Sequence, residues 1–151
     1  MSAYESIDDH HAVSDVYGEW PDFAGAYVMS VHLETHGRTF SPYGSRDLIL
    51  TIHWWIGADD HYPDAPRHYD QDALHHRITL AFHASGVELR TFQFSNVQFD
   101  ALQLTTQPTS DGFPDRFNVS MTGAFELAFT ASQVKVLGVV PCDEYGRDRG
   151  T

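Results

Sequence analysis

The sequence predicts a mainly β protein: an antiparallel β sandwich or open barrel of about seven to eight strands, with a short N-terminal helix. Three observations carry that reading. Apolar residues alternate with polar ones at a period of two through most of the chain, as half-buried strands require. Turn-forming residues punctuate those runs. The apolar fraction of 42%, with ten Phe, seven Tyr and three Trp, lets one domain of 151 residues bury a core.

Residues 3–17 predict a short helix with a thin apolar stripe. Trp20, Pro21, Asp22 and Phe23 mark the entry to the folded body, because Pro21 biases Trp20 toward an extended backbone. Tyr27, Met29, Val31 and Leu33 then alternate with Val28, Ser30, His32 and Glu34, which gives a first strand. Residues 36–46 are rich in turn formers and read as a connection. Leu48, Leu50, Ile52, Trp54 and Ile56 form one face of a second strand, and Ile49, Thr51, His53 and Trp55 the other. Both faces are apolar, so this strand is interior to its sheet.

Residues 57–76 carry two prolines and no periodicity, and a loop of that length in a compact domain is usually functional or disordered. Residues 77–94 predict two short strands, one on Ile78, Leu80 and Phe82 and the next on Val87 and Leu89, parted by a turn at Ala84, Ser85 and Gly86. Val97, Phe99, Leu102 and Leu104 predict another strand, with a register change near Asp100 and Ala101. Residues 106–115 form a turn region. Phe117, Val119 and Met121, then Phe125, Leu127 and Phe129, make a strand pair around a tight turn at Thr122 and Gly123. Val134, Val136 and Val139 complete the sheet. The divisions are an acidic segment 1–19, a single β domain 20–141 and a loose polar tail 142–151.

The net charge of −12 is segregated. Residues 1–22 hold Glu5, Asp8, Asp9, Asp15, Glu19 and Asp22 with no Lys or Arg, and so contribute −6. Residues 57–76 hold Asp59, Asp60, Asp64, Asp70 and Asp72 against Arg67, and contribute −4. Such a field disfavours nucleic acid and anionic membranes and attracts basic proteins. No apolar stretch is long enough to span a bilayer, and the N-terminus lacks the pattern of a signal peptide. With Cys142 as the single cysteine, no intrachain disulfide forms. These features predict a cytoplasmic location.

The apolar cadence also resembles a family. Its elements are the entry Trp20-Pro21-Asp22-Phe23, a strand of the type of residues 48–55, and the spaced residues Ile78, Leu80, Phe82, Gly86, Val87 and Leu89. Phe94, Asn96 and Val97 follow, and a strand on Phe125, Leu127 and Phe129 leads to a valine-rich end. Across most of residues 20–141 this is similar to the Imm50-type immunity proteins of bacterial polymorphic toxin systems. The resemblance implies a cytoplasmic, mainly β, non-enzymatic protein that neutralises a cognate toxin. The chain departs from the family after Phe23, where Ala24 and Gly25 stand in place of an expected polar pair, often His-Asp.

Chemistry of other kinds has less support in the residues. His10 and His11 beside Asp8 and Asp9, and His61, His68, His75 and His76 near Asp70 and Asp72, are possible ligand types without the fixed spacing of a zinc site. Adjacent histidines on a strand point to opposite faces, so His75 and His76 do not chelate together there. His32, His53 and His83 read as strand histidines satisfied locally. Cys142 stands beside Asp143 and Glu144, which oppose thiolate formation. No G-x-S-x-G, phosphate-binding loop or dinucleotide fingerprint occurs, so no enzyme, cofactor or metal is expected.

Aromatic residues among the carboxylates point instead to a partner. Tyr62 and Tyr69 are interleaved with Asp59, Asp60, Asp64, Asp70 and Asp72, a combination of anchors and steering charge that predicts a contact surface for a basic toxin, such as a nuclease. The alternative is a ligand- or carbohydrate-binding β module built on exposed Trp55, Tyr62 and Tyr69.

Overall fold

The computed structural model describes residues 3–35, 46–55, 74–92, 99–107, 116–123, 125–143 and 145–148. They form a mainly β fold with strands β1 (Tyr27–Thr35), β2 (Arg46–Trp54), β3 (His76–Phe92), β4 (Phe99–Gln107), β5 (Arg116–Gly123) and β6 (Phe125–Pro141). A 3-10 turn (Ala3–Ser6) and one helix, α1 (His11–Tyr17), precede them. The strands make one antiparallel sheet in the order β1-β2-β3-β6-β5-β4, which is not closed into a barrel. The last four strands in this order are arranged as a Greek key, with β4, β5 and β6 side by side in chain order and β3 beside β6.

The six strands contain the eight segments read from the sequence, because two expected breaks are bulges. The small residues at Ala84, Ser85 and Gly86 do not turn the chain. β3 runs through them, and its register against β6 shifts between Ser85 and Glu88. Opposite, Ala84 pairs with Ala131 and His83 with Gln133, which leaves Ser132 as an extra residue in β6. That extra residue explains why the apolar phase slips between Ala131 and Val134. A bulge inserts unpaired residues and bends the strand without ending it. The two 17-residue strands therefore serve two half-sheets. β2 pairs with the first half of β3, and β5 pairs with Leu127 to Ala131 of β6.

One apolar cluster forms the core. It combines Leu48, Leu50, Ile52 and Trp54 of β2, Ile78, Leu80 and Phe82 of β3, and Phe117, Val119 and Met121 of β5 with Leu127, Phe129, Val134 and Val136 of β6. Phe82 meets Phe129 edge to face, with ring centroids 5.1 Å apart. Burying each such side chain contributes on the order of 1.5–3 kcal/mol.

The N-terminal segment lies on this cluster. Ile7 and Val13 are fully buried in it. Asp8 forms a parallel bridge to β6, its N–H donating to the Val134 carbonyl and its carbonyl accepting from the Val136 N–H, each at 2.9 Å. That bridge, with Asp9 at φ 62°, divides the expected single helix into a 3-10 turn and α1. Gly18, at φ 82°, ends α1 in a left-handed cap and donates to the Ser14 carbonyl. A helix of seven residues is marginal in isolation, so tertiary packing holds it.

The entry motif acts as a latch. The Phe23 ring is buried between Trp20 (5.5 Å) and Trp54 (5.6 Å), both edge to face, and Trp20 stacks on Tyr4 at 6.3 Å. Phe23 has φ 58°, an uncommon backbone for a bulky residue. The Ala24 N–H donates to the Asp22 carboxylate at 2.9 Å, and the Leu102 N–H of β4 donates to the Asp22 carbonyl at 2.9 Å. Of the tail 142–151, expected to be loose, residues 142, 143 and 145–148 are described, and a bridge joins Cys142 to Asp148. Asp143 accepts from the N–H groups of Tyr145 and Arg147 and from Arg147 Nε. Asp148 pairs with Arg77 of β3.

Candidate functional site

Asp59, Asp60, Tyr62, Asp64, Tyr69, Asp70 and Asp72, the residues expected to bind a partner, lie outside the described residues, as do His61 and His68. The framework that carries their segment is described. The chain leaves β2 through Trp55 and re-enters at Leu74, just before β3. Trp55 is 2% exposed and His75 1%, and their rings lie 4.9 Å apart. The acidic segment thus begins and ends at one closed base.

Aromatic and imidazole rings build that base. Tyr27 stacks on Trp55 at 5.8 Å, and His53 lies 4.9 Å from Trp55. His53 Nε2 and His75 Nδ1 are 2.9 Å apart and share one proton in a buried hydrogen bond. Burial, and then the neighbouring His75, push the His53 pKa down to about 4, against an opposing pull from Asp143. His53 is therefore neutral at physiological pH, and in their hydrogen bond one ring donates and the other accepts. Gly146 of the C-terminal turn sits over it at φ 78°, and a Cβ there would be a tight fit, 3.3 Å from His53 Nδ1 and 3.3 Å from Met29 Cε.

His76 points to the opposite side of the sheet from His75, as adjacent strand residues must. It takes the Tyr17 hydroxyl at 2.8 Å on Nδ1. Burial, with the Cys142 thiol nearby, raises the Tyr17 phenol above its ordinary range, so the phenol stays protonated. Tyr17 also meets Trp54 edge to face at 5.0 Å. Cys142 is buried, and its N–H donates to the His75 carbonyl at 3.1 Å. These contacts are buried or partly buried. Their chemistry is positional: they fix both ends of the acidic segment to the sheet.

The two tryptophans that sequence alone left ambiguous are both buried. Trp54 faces the core under the N-terminal segment and donates from Nε1 to the Ala24 carbonyl at 2.9 Å. Trp55 lies on the other face between Tyr27 and His75, so it offers no exposed platform for a sugar. Of the strand histidines, His83 is hydrogen-bonded to Asp47 at 3.0 Å, His53 to His75, and His32 is exposed. Among the described residues no group of three or more His, Cys, Asp or Glu side chains is placed to hold a metal ion.

The acidic N-terminal stretch is a surface. Glu5, Asp8, Asp9, Asp15, Glu19 and Asp22 are all exposed. Lys135 approaches Asp9 at 3.8 Å, Gln133 donates to Asp8 at 2.6 Å, and His11 lies 4.0 Å from Asp15. No helix among the described residues is long and apolar enough to cross a membrane.

Sequence reasoning missed the imidazole base and the C-terminal turn. Part of the signal was present: His53 and His75 flank the acidic segment, and Asp143 is followed by Gly146 and Arg147, a pattern suited to a side-chain-capped turn. No family model, curated protein or solved structure matches the chain.

Proposed function

We propose that this protein is a non-enzymatic, cytoplasmic immunity protein that binds a basic toxin stoichiometrically and occludes it. Segregation of charge carries the reading. Ten units of the −12 reside in residues 1–22 and 57–76, −6 and −4, while the sheet between them is nearly neutral. The six N-terminal carboxylates are exposed on a segment locked to the core by Ile7 and Val13. Residues 57–76 are anchored at the buried pair Trp55 and His75. Rigid scaffolds that present charged, tyrosine-bearing loops are suited to recognition, with the charge steering encounter and the aromatics anchoring it. The resemblance to Imm50-type immunity proteins supports the same reading. A nuclease fits the chemistry, since the acidic segments imitate its polyanionic substrate.

The test begins with a pull-down of the tagged chain from its own cells and proceeds with the recovered partner. Replacing Asp59, Asp60, Asp64, Asp70 and Asp72 by Asn should lower the association rate on the order of ten- to a hundredfold at low salt and leave the unfolding midpoint unchanged. An unaltered rate and affinity would remove residues 57–76 from the contact.

A further inference from the structure

β6 contains a glycine that the fold itself does not call for. Gly138 lies near the end of a 17-residue strand, where glycine weakens pairing because it has no side chain to pack. Its backbone is not left-handed, unlike that of Gly18, Gly25, Gly123 and Gly146. A Cβ built on it would meet nothing within 4 Å. The register shift beside it, between the pairs Thr79–Gly138 and Leu80–Val136, leaves Leu137 as the extra residue. A bulge requires glycine only where the backbone is left-handed, so that shift does not account for Gly138 either.

The missing side chain leaves a groove open among the described residues. Asp9, His11 and Ala12 wall it on one side and Val136, Leu137 and Gly138 on the other, around about 420 Å³. Leu137 is 51% exposed, and Val140, two residues beyond Gly138, is 45% exposed. We infer that this groove docks a basic segment of the toxin, with an apolar side chain of that segment seated over Gly138, an assignment that rests on the toxin-binding reading.

Charge selects a basic occupant. Asp8 borders the groove through its backbone bonds to Val134 and Val136, Asp9 lines it, and Asp15 lies 4.0 Å from the groove residue His11. Lys135 stands beside them, 3.8 Å from Asp9, so these three carboxylates and one ammonium leave −2. Arg77, opposite Val140 in β3, is paired with Asp148 and changes nothing. A lysine or arginine of the occupant can lay its stem along Leu137 and Ala12 while its charged head reaches the carboxylates. Those carboxylates stand on a segment that Ile7 and Val13 pin to the core, so binding has little ordering of this chain to overcome.

The test maps binding by amide chemical shifts on the full chain. The probe is a short peptide with a leucine between lysines, set against the same peptide with glutamates for the lysines. The lysine peptide should shift Asp9, His11, Ala12, Val136, Leu137 and Gly138 saturably, and the glutamate peptide should not. Gly138→Leu should fill the groove, melt no lower than the natural chain, and weaken binding of this peptide and of the toxin recovered by pull-down on the order of tenfold or more. Gly138→Ala, which adds one methyl group, should weaken it less. Shifts spread over the acidic surface or centred elsewhere would overturn the assignment. Full toxin affinity in a folded Gly138→Leu would also overturn it, and would leave the toxin-binding reading standing. Self-association of the natural chain that Gly138→Leu abolishes would give the groove to a second copy instead. A natural chain with no basic partner would end the toxin-binding reading and this assignment together. Should Gly138→Leu misfold, the peptide map on the natural chain decides.

Discussion

Acidification should weaken this fold through one residue, His53. Its pKa is held at about 4 in the folded chain, against 6.5 for an ordinary imidazole, chiefly by burial and then by His75. A base with a depressed folded pKa binds fewer protons folded than unfolded, so stability rises with pH between the two values. The stabilisation is complete above the unfolded value and is lost as pH falls toward the folded one. At about 1.36 kcal/mol per unit, the loss relative to neutral pH is about 2 kcal/mol at pH 5 and about 3 kcal/mol at pH 4. Asp143 is the charged group that opposes this shift, and it is itself held low. Desolvation raises it, but the Arg147 and Tyr145 N–H groups and the Arg147 charge more than offset that. The assay is urea unfolding from pH 7.5 to 4, on the natural chain and on His53→Gln, whose amide reaches the His75 nitrogen but does not titrate. Subtracting the two curves cancels the titrating groups that do not interact with His53; His75 and Asp143 do interact with it. The difference should fall by about 3 kcal/mol as pH drops to 4; a difference independent of pH would refute the assignment.

Two further substitutions probe the frame. Gly146→Ala forces a Cβ at φ 78° to within 3.3 Å of His53 Nδ1 and should cost about 1–3 kcal/mol in urea unfolding, with a change in Trp55 fluorescence. Phe82→Ala removes a fully buried ring that meets Phe129, and should cost about 3–5 kcal/mol by the same measurement.

Much of the fold was legible because period-two alternation is local. Tyr27 to Leu33, Leu48 to Trp54 and Phe117 to Met121 were each read as strands and are strands. The continuity of β3 and β6 was not legible. Ala84, Ser85 and Gly86 suit a turn and a bulge equally, and the choice depends on β6, whose Ala131 and Gln133 lie opposite across the sheet. The burial of both Trp54 and Trp55 was hidden for the same reason. Alternation puts them on opposite faces, and only the N-terminal segment on one side and the ring cluster of Tyr27 and His75 on the other close both. Of the candidate site, the acidity of residues 1–22 was legible from composition. Its attachment to β6 through Asp8 was not, because a single parallel bridge leaves no periodic trace.

The tail shows how the base of the acidic segment is made stiff. The turn 142–148 is closed by the Asp143 carboxylate, fastened to β3 by the ion pair between Asp148 and Arg77, and seated with Gly146 against His53. His53 in turn bonds His75, whose ring lies tilted against Trp55 at 4.9 Å. The last strand, the last turn and both ends of the acidic segment thus converge on one buried imidazole pair. Imidazole suits that place because a ring nitrogen can donate or accept, so each ring gives the other a hydrogen-bond partner where both side chains are buried. Aliphatic residues would fill the volume but leave the two ends of residues 56–73 without a directional tie. A segment whose like charges repel one another needs that tie most.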